Sequence, residues 1–160
     1  MDIHDRPIAM AQMLVRRPVN EVFNAFVDPT ITTRFWFSGS SGALAVGKQI
    51  RWDWEMYGAS TNVEVRAIEP NRRILIEWDG AGSRNTVEWI FTPRSERETF
   101  VTISERGFSG DGDKVVKQAL ASTGGFNLVL AGLKVFLEHG IDPGLVIDHD
   151  PDAVVEGARR

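Results

Sequence analysis

Near residue 110 the hydrophobic repeat of this chain changes from two residues to about 3.6, and that change dictates the layers of the fold. Before it, five segments alternate apolar and polar residues. Ile50, Trp52, Trp54 and Met56 alternate with Arg51, Asp53 and Glu55, and Val63, Val65 and Ala67 alternate with Asn62, Glu64 and Arg66. Ile74, Ile76 and Trp78 follow the turn Glu69-Pro70-Asn71; Val87, Trp89 and Phe91 precede Pro93; Val101 and Ile103 alternate with Thr102 and Ser104. This is the signature of strands with one wet face, and the short connections predict an antiparallel meander. Beyond Gly107-Phe108-Ser109-Gly110, the residues Val115, Ala119, Ser122, Phe126, Val129, Leu130, Leu133, Phe136 and Leu137 recur at helical spacing. Asp111 or Asp113 can cap that helix and Gly140 can end it. Its length is then about 27 residues, or about 40 Å. Gly124-Gly125 inside it predicts a kink or a close approach by another segment.

Upstream, Ile8 to Val15 reads as a strand, Pro18 as the first residue of a helix through Phe26, and Thr30 to Trp36 as a second short helix. Ser38 to Gly42 reads as a loop, and Pro93 is expected to stop its strand. The order is β-α-α-β-β-β-β-β-α, an α+β arrangement. A long helix with a wide apolar stripe must bury it, and the concave face of the sheet is the matching surface. A twisted sheet cannot lie flat against a straight helix, and two short helices plug only one end. A gap lined by Trp and Phe is expected between sheet and helix. A filled core gives the same alternation, so the pattern leaves both outcomes open.

Composition removes several classes of function. The 160 residues include no cysteine, which excludes a disulfide framework, a zinc finger, an iron–sulfur site and a thiol nucleophile. A net charge of −4 argues against a general nucleic-acid binder. No run of about 20 apolar residues is evident, so no membrane span is expected. Met1 to Pro7 carries no apolar stretch of a secretory leader, so a cytoplasmic location is expected. One domain is expected over 1–145, followed by a loosely ordered acidic and polar tail over 146–160. His4, His139 and His149 do not form a group, and Asp148 to Asp152 reads as a solvated run and not as metal ligands. Neither a metal nor a cofactor is called for. Asp53, Glu55 and Glu64 lie on the outward strand phase, as a wet face or a polar dimer surface.

Three motifs then carry a resemblance. Pro18-Val19-Asn20-Glu21-Val22-Phe23-Asn24-Ala25-Phe26-Val27-Asp28-Pro29 with Arg34-Phe35-Trp36 resembles the opening signature of the AHSA1-like branch of the START/Bet v 1-like (SRPBCC) superfamily. Thr99 to Phe108 resembles its last strand, and Gly125 to Glu138 resembles its closing helix. Phe126 stands where that helix commonly has Trp, and Phe35 precedes Trp36 where two Trp are common. The resemblance spans about residues 8 to 140. It implies the helix-grip fold, a curved antiparallel sheet around a long C-terminal helix with a cavity between them. It also implies a choice among binding of small hydrophobic ligands, polyketide cyclisation, and stimulation of the Hsp90 ATPase.

The residues expected to line such a cavity are Phe26, Trp36, Trp52, Trp54, Val63, Trp78, Trp89, Phe91, Ile103, Phe126, Leu130 and Leu133, with Glu105 as the polar contact. For the tryptophans, ordinary core packing is the alternative to a cavity wall. Glu105 continues the inward phase of Val101 and Ile103, so it either meets the interior or reaches water near Gly107. An interior carboxylate needs a partner, which makes it a ligand contact or an acid/base group. The first expectation is a non-enzymatic binder of a small hydrophobic molecule. A chaperone-associated interaction domain and a cyclase or hydrolase using Glu105 are the alternatives, and a homodimer is compatible with all three.

Overall fold

The alternating segments pair into one antiparallel sheet of seven strands, in a computed structural model that describes residues 2–80 and 83–157. The strands are β1 (Ala9–Val15), β2 (Gly39–Ser40), β3 (Gln49–Trp54), β4 (Ala59–Glu69), β5 (Arg73–Gly80), β6 (Ser83–Ser95) and β7 (Glu98–Arg106). Their order is β1-β7-β6-β5-β4-β3-β2, so the chain crosses once from β1 at one edge to β2 at the other and then meanders back to β7 beside β1. The helices are α1 (Val19–Val27), α2 (Pro29–Thr32), α3 (Gly112–His139) and α4 (Leu145–His149). This is the helix-grip arrangement: a curved sheet closed over by the long helix α3.

Register puts the expected apolar phase inside. Val65, Ile76, Val87 and Glu105 face one another across β4 to β7, as do Ile74, Trp89 and Ile103 across β5 to β7. The opposite face is wet and charged. Glu64, Glu77 and Asp79 meet Arg66 and Arg84 there at 2.8 to 3.8 Å, half-exposed contacts that each contribute little in water.

Several boundaries differ from the sequence reading, each for a local reason. The Ser38–Gly42 loop contains the two-residue strand β2, because the Ser38 and Ser41 N–H groups reach the Asp53 and Arg51 carbonyls (2.8 and 2.9 Å). Strand β3 stops at Trp54, and Met56 lies in a tight 3-10 turn, Glu55–Tyr57, closed by Gly58 at φ 61°. Pro93 does not end β6. The Phe91 N–H donates to Arg72, and the same side of β6 two residues later lies past the β4–β5 hairpin, where no ladder bond is required. Pro18 precedes the first helical residue of α1. Asp28 caps α2 by accepting from the Thr30 N–H (2.9 Å), and α2 gives way to turns before Trp36.

Helix α3 runs unbroken from the Asp111 cap, which accepts from the Lys114 N–H, to Gly140 at φ 69°. A Cβ added at Gly124 or Gly125 would meet nothing within 4 Å, so no segment approaches the helix there. The tight contact is at Gly132, where a Cβ would lie 3.2 Å from both the Cβ and the carbonyl oxygen of Phe35. Contrary to the expectation that no run qualifies, α3 is long and apolar enough to cross a membrane, with a mean hydropathy of 1.5 over its most apolar window. It serves as a core helix: Phe126, Val129, Leu130 and Leu133 are buried beneath it.

The end of α3 is tied to the edge strand. Lys134 Nζ donates to the Leu14 carbonyl (2.9 Å) and to Glu138 Oε2 (2.6 Å), and the Arg16 N–H donates to the same oxygen (2.9 Å). Burial pushes the Glu138 carboxyl up, but the Arg16 N–H, the Lys134 ammonium and His139 outweigh it and hold it below its ordinary value. A depressed carboxyl stabilises the fold fully above its unfolded pKa, about 4.3. That contribution disappears as pH falls through the lower folded value. Denaturation midpoints measured from about pH 6 to about pH 3 therefore fall, and fall less steeply in Glu138→Gln.

The segment read as a loose tail from 146 onward meets the body near Val146 and again at Val155. The Tyr57 hydroxyl donates to the Val146 carbonyl and, at 3.3 Å, to the Ile147 carbonyl. The Val155 N–H donates to the Met56 carbonyl (2.8 Å), and Val146 packs on the main core. Met1 and residues 158–160 of the expected spans lie outside the described residues.

Candidate functional site

The helical plug α1–α2 fills one half of the space under α3. Phe26 of α1 packs on Trp89 and Phe91 (ring centroids 5.8 and 6.0 Å apart), and Phe23 meets Phe91 edge-on at 5.4 Å. Trp52 is stacked on Phe37 at 4.7 Å. Phe26, Trp52, Val63, Trp89, Phe91, Ile103, Leu130 and Leu133, all expected as cavity walls, are buried to within 3% of full burial in this packed cluster. They line neither of the clefts described next. The inward phase at the sheet centre meets the plug, and the plug leaves no gap there.

The gap survives at the other end, beyond the reach of the plug. There the tips of β3 and β5, the middle of α3 and the C-terminal segment enclose a cleft of about 310 Å³. Trp36, Trp54, Trp78 and Phe126 form its aromatic walls. Trp78 and Phe126 are stacked at 5.9 Å and 19°, and Trp36 meets both at 6.1 Å. Ser122, Gly125, Leu128 and Val129 of α3 complete one side. Tyr57, Ala59, Val146 and His149 complete the rim. The open space beside Gly125 is part of this cleft, whereas Gly124 does not line it.

The rim was not readable in the sequence. Tyr57 lies in a 3-10 turn, one residue past the strand expected to run to Met56, and Val146 and His149 lie in the segment read as a tail. Only the run Leu145-Val146-Ile147, apolar within an otherwise acidic stretch, could have signalled it. Burial, and then the carboxylates of Asp150 and Asp148, hold the Tyr57 phenol above its ordinary pKa against an opposing backbone hydrogen bond at Asp150.

A second pocket of about 240 Å³ adjoins the first and shares Trp54, Trp78 and Ser122 with it. Glu105 lies in its wall and is 1% exposed, so it meets the interior and not water. Glu105 Oε2 accepts from Trp78 Nε1 (2.8 Å) and from Asn85 Nδ2 (2.9 Å). Glu105 Oε1 has no hydrogen-bond partner among the described residues. The Asn85 amide is itself fixed: Ser83 Oγ donates to its Oδ1 (2.5 Å), and Gly80 and Gly107 flank it so closely that a Cβ at either would press on it. Chemically, the first pocket offers an aromatic, apolar body site, and the second adds polar groups, among them the buried Glu105 and Asn85, the half-buried Gln118 and Thr61, and the exposed Asp79. The groups touching Glu105 are hydrogen-bond donors, and no second acid or base is paired with it. Among the described residues, Asp148 to Asp152 gather no group of side chains suited to a metal ion.

Comparison with known proteins agrees with this architecture. A family model described as "Activator of Hsp90 ATPase homolog 1-like protein" matches residues 16–138. The crystal structure of protein SSP2350 from Staphylococcus saprophyticus is 36% identical, covers 84% of this chain and 94% of its own, and superposes with a TM-score of 0.72. The solution structure of the Aha1 dimer from Colwellia psychrerythraea is 17% identical over 84% of this chain and 98% of its own, with a TM-score of 0.69. The di-domain ARO/CYC BexL from the BE-7585A biosynthetic pathway is 18% identical over 82% of this chain and 46% of its own, with a TM-score of 0.72. No curated protein matches. Because that model matches most of the chain, residues 16–138, and a structure 36% identical covers 84% of it, the chain belongs to the activator of Hsp90 ATPase homolog 1-like family.

Proposed function

We propose that this chain binds a small apolar molecule in the aromatic cleft between β3, β5, α3 and α4, acting as a binder and not as an enzyme, in the cytoplasm. The observation that carries the reading is the combination of an open space of about 310 Å³ with walls of Trp36, Trp54, Trp78 and Phe126. Such walls exclude water and reward apolar area, while few polar groups orient the guest. A fold shared with a di-domain ARO/CYC protein is compatible with a small-molecule site. A catalytic use of Glu105 lacks a second convergent group, and a chaperone partner rests on the family description alone. A homodimer is compatible with this reading, since a relative of the same fold was solved as a dimer.

The test is a titration with N-phenyl-1-naphthylamine, a neutral apolar fluorophore excited by energy transfer from tryptophan. Saturable uptake at one site per chain is expected. Gly125→Trp, which places an indole in the open space at the cleft, should weaken uptake at least about tenfold. Absence of saturable uptake by the folded wild-type chain would contradict the proposal.

A further inference from the structure

The second pocket says what kind of guest the first one takes; the inference rests on the binding reading above. We propose that the ligand carries a hydrogen-bond donor, a hydroxyl or amine, and gives it to Glu105 Oε1 while its apolar body lies against Trp78 and Phe126. Glu105 is 1% exposed, and of its two carboxylate oxygens only Oε2 is bonded. Buried polar atoms are paired in nearly all native structures, and an orphan acceptor is costly. In its ionised form the carboxyl accepts and does not donate, so the partner that this form lacks is a donor. The pocket that Glu105 lines is continuous with the apolar cleft through Trp54, Trp78 and Ser122, so one molecule spanning both lies against this side chain.

The arrangement is fixed in advance. Trp78 contributes its indole N–H to Glu105 and its ring to the cleft wall. Asn85 cannot turn its amide round without setting its Oδ1 against Glu105 Oε2, and the space beside it is closed by Gly80, where a Cβ would lie 2.6 Å from Nδ2. Both fixed donors are therefore spent on Oε2, and Glu105 Oε1 is left as an acceptor for the guest, with Gln118 in the same pocket wall. An anionic guest is disfavoured by the same carboxylate. The specificity is for donors over ethers and ketones of equal size, and against acids.

Four naphthalenes of one ring size test this on the full-length chain at neutral pH, each in competition with N-phenyl-1-naphthylamine: 2-naphthol, 2-methoxynaphthalene, 2-acetonaphthone and 2-naphthoate. The expected result is that 2-naphthol binds about tenfold or more tightly than 2-methoxynaphthalene, with 2-naphthoate weakest. In Glu105→Gln the amide oxygen must face Trp78 and Asn85, which turns its NH2 to the pocket. The preference for 2-naphthol should vanish and 2-acetonaphthone should gain. Equal wild-type affinities for 2-naphthol and 2-methoxynaphthalene, a wild-type preference for the ketone, or a preference that survives Glu105→Gln overturns the proposal. Uptake of N-phenyl-1-naphthylamine without discrimination among the four removes the donor assignment alone. No uptake of any probe removes the binding reading itself. The wild-type series decides the matter should the variant not fold.

Discussion

Phe126→Ala lowers the unfolding free energy by about 3–5 kcal/mol, as expected for truncation of a buried phenylalanine. The side chain is 3% exposed, stacked on Trp78 and in edge contact with Trp36. It sits where the helix, the strand tips and the plug meet, so few neighbours can move in to fill the void. Chemical denaturation with an unchanged m-value is the measurement. The half-buried Leu128, two residues along the same helix and at the rim of the same cleft, serves as the control: Leu128→Ala should cost clearly less. Equal losses for the two would mean that Phe126 is not the keystone of the aromatic wall.

Glycines on α3 should respond in opposite directions. Gly132→Leu forces a side chain against Phe35, whose Cβ and backbone oxygen would already stand 3.2 Å from the first added carbon. Backbone cannot swing aside as a flexible side chain would, and overpacking of about 1–3 kcal/mol is expected. Gly124→Ala meets no atom within 4 Å and gains helix propensity of up to about 1 kcal/mol. The two substitutions, measured in one denaturation series, should shift the midpoint down and up respectively. A shift of the same sign for both would contradict the placement of α3 on the Phe35 turn.

The fold was legible because its two repeats are written in the side chains. Trp52, Val63, Ile76, Trp89 and Ile103 all occupy the inward phase that alternation predicts, and α3 begins and ends at the residues that can cap it. The site was legible only in part. Trp36, Trp54, Trp78, Glu105 and Phe126 line the two clefts, whereas Trp52 and Trp89, indistinguishable from them by phase, are core. Phase tells which face a residue takes; it does not tell how far the α1–α2 plug extends along that face. The close approach at Gly132 and the open space at Gly125 are likewise contrasts between identical residues, set by what lies opposite. The rim from Tyr57, Val146 and His149 depends on where the C-terminal segment docks, and one tyrosine hydroxyl and one backbone bond hold it there. Neither leaves a periodic trace.

The contrast among the five tryptophans also supplies the sharpest test. Each indole N–H gives a separate proton–nitrogen signal in a ¹⁵N-labelled sample, so N-phenyl-1-naphthylamine can be followed ring by ring as it is titrated in. The signals of Trp36, Trp54 and Trp78 should move in a saturable way, while those of Trp52 and Trp89 stay in place. Equal movement of all five, or movement confined to Trp52 and Trp89, would contradict a guest seated between α3 and the tips of β3 and β5.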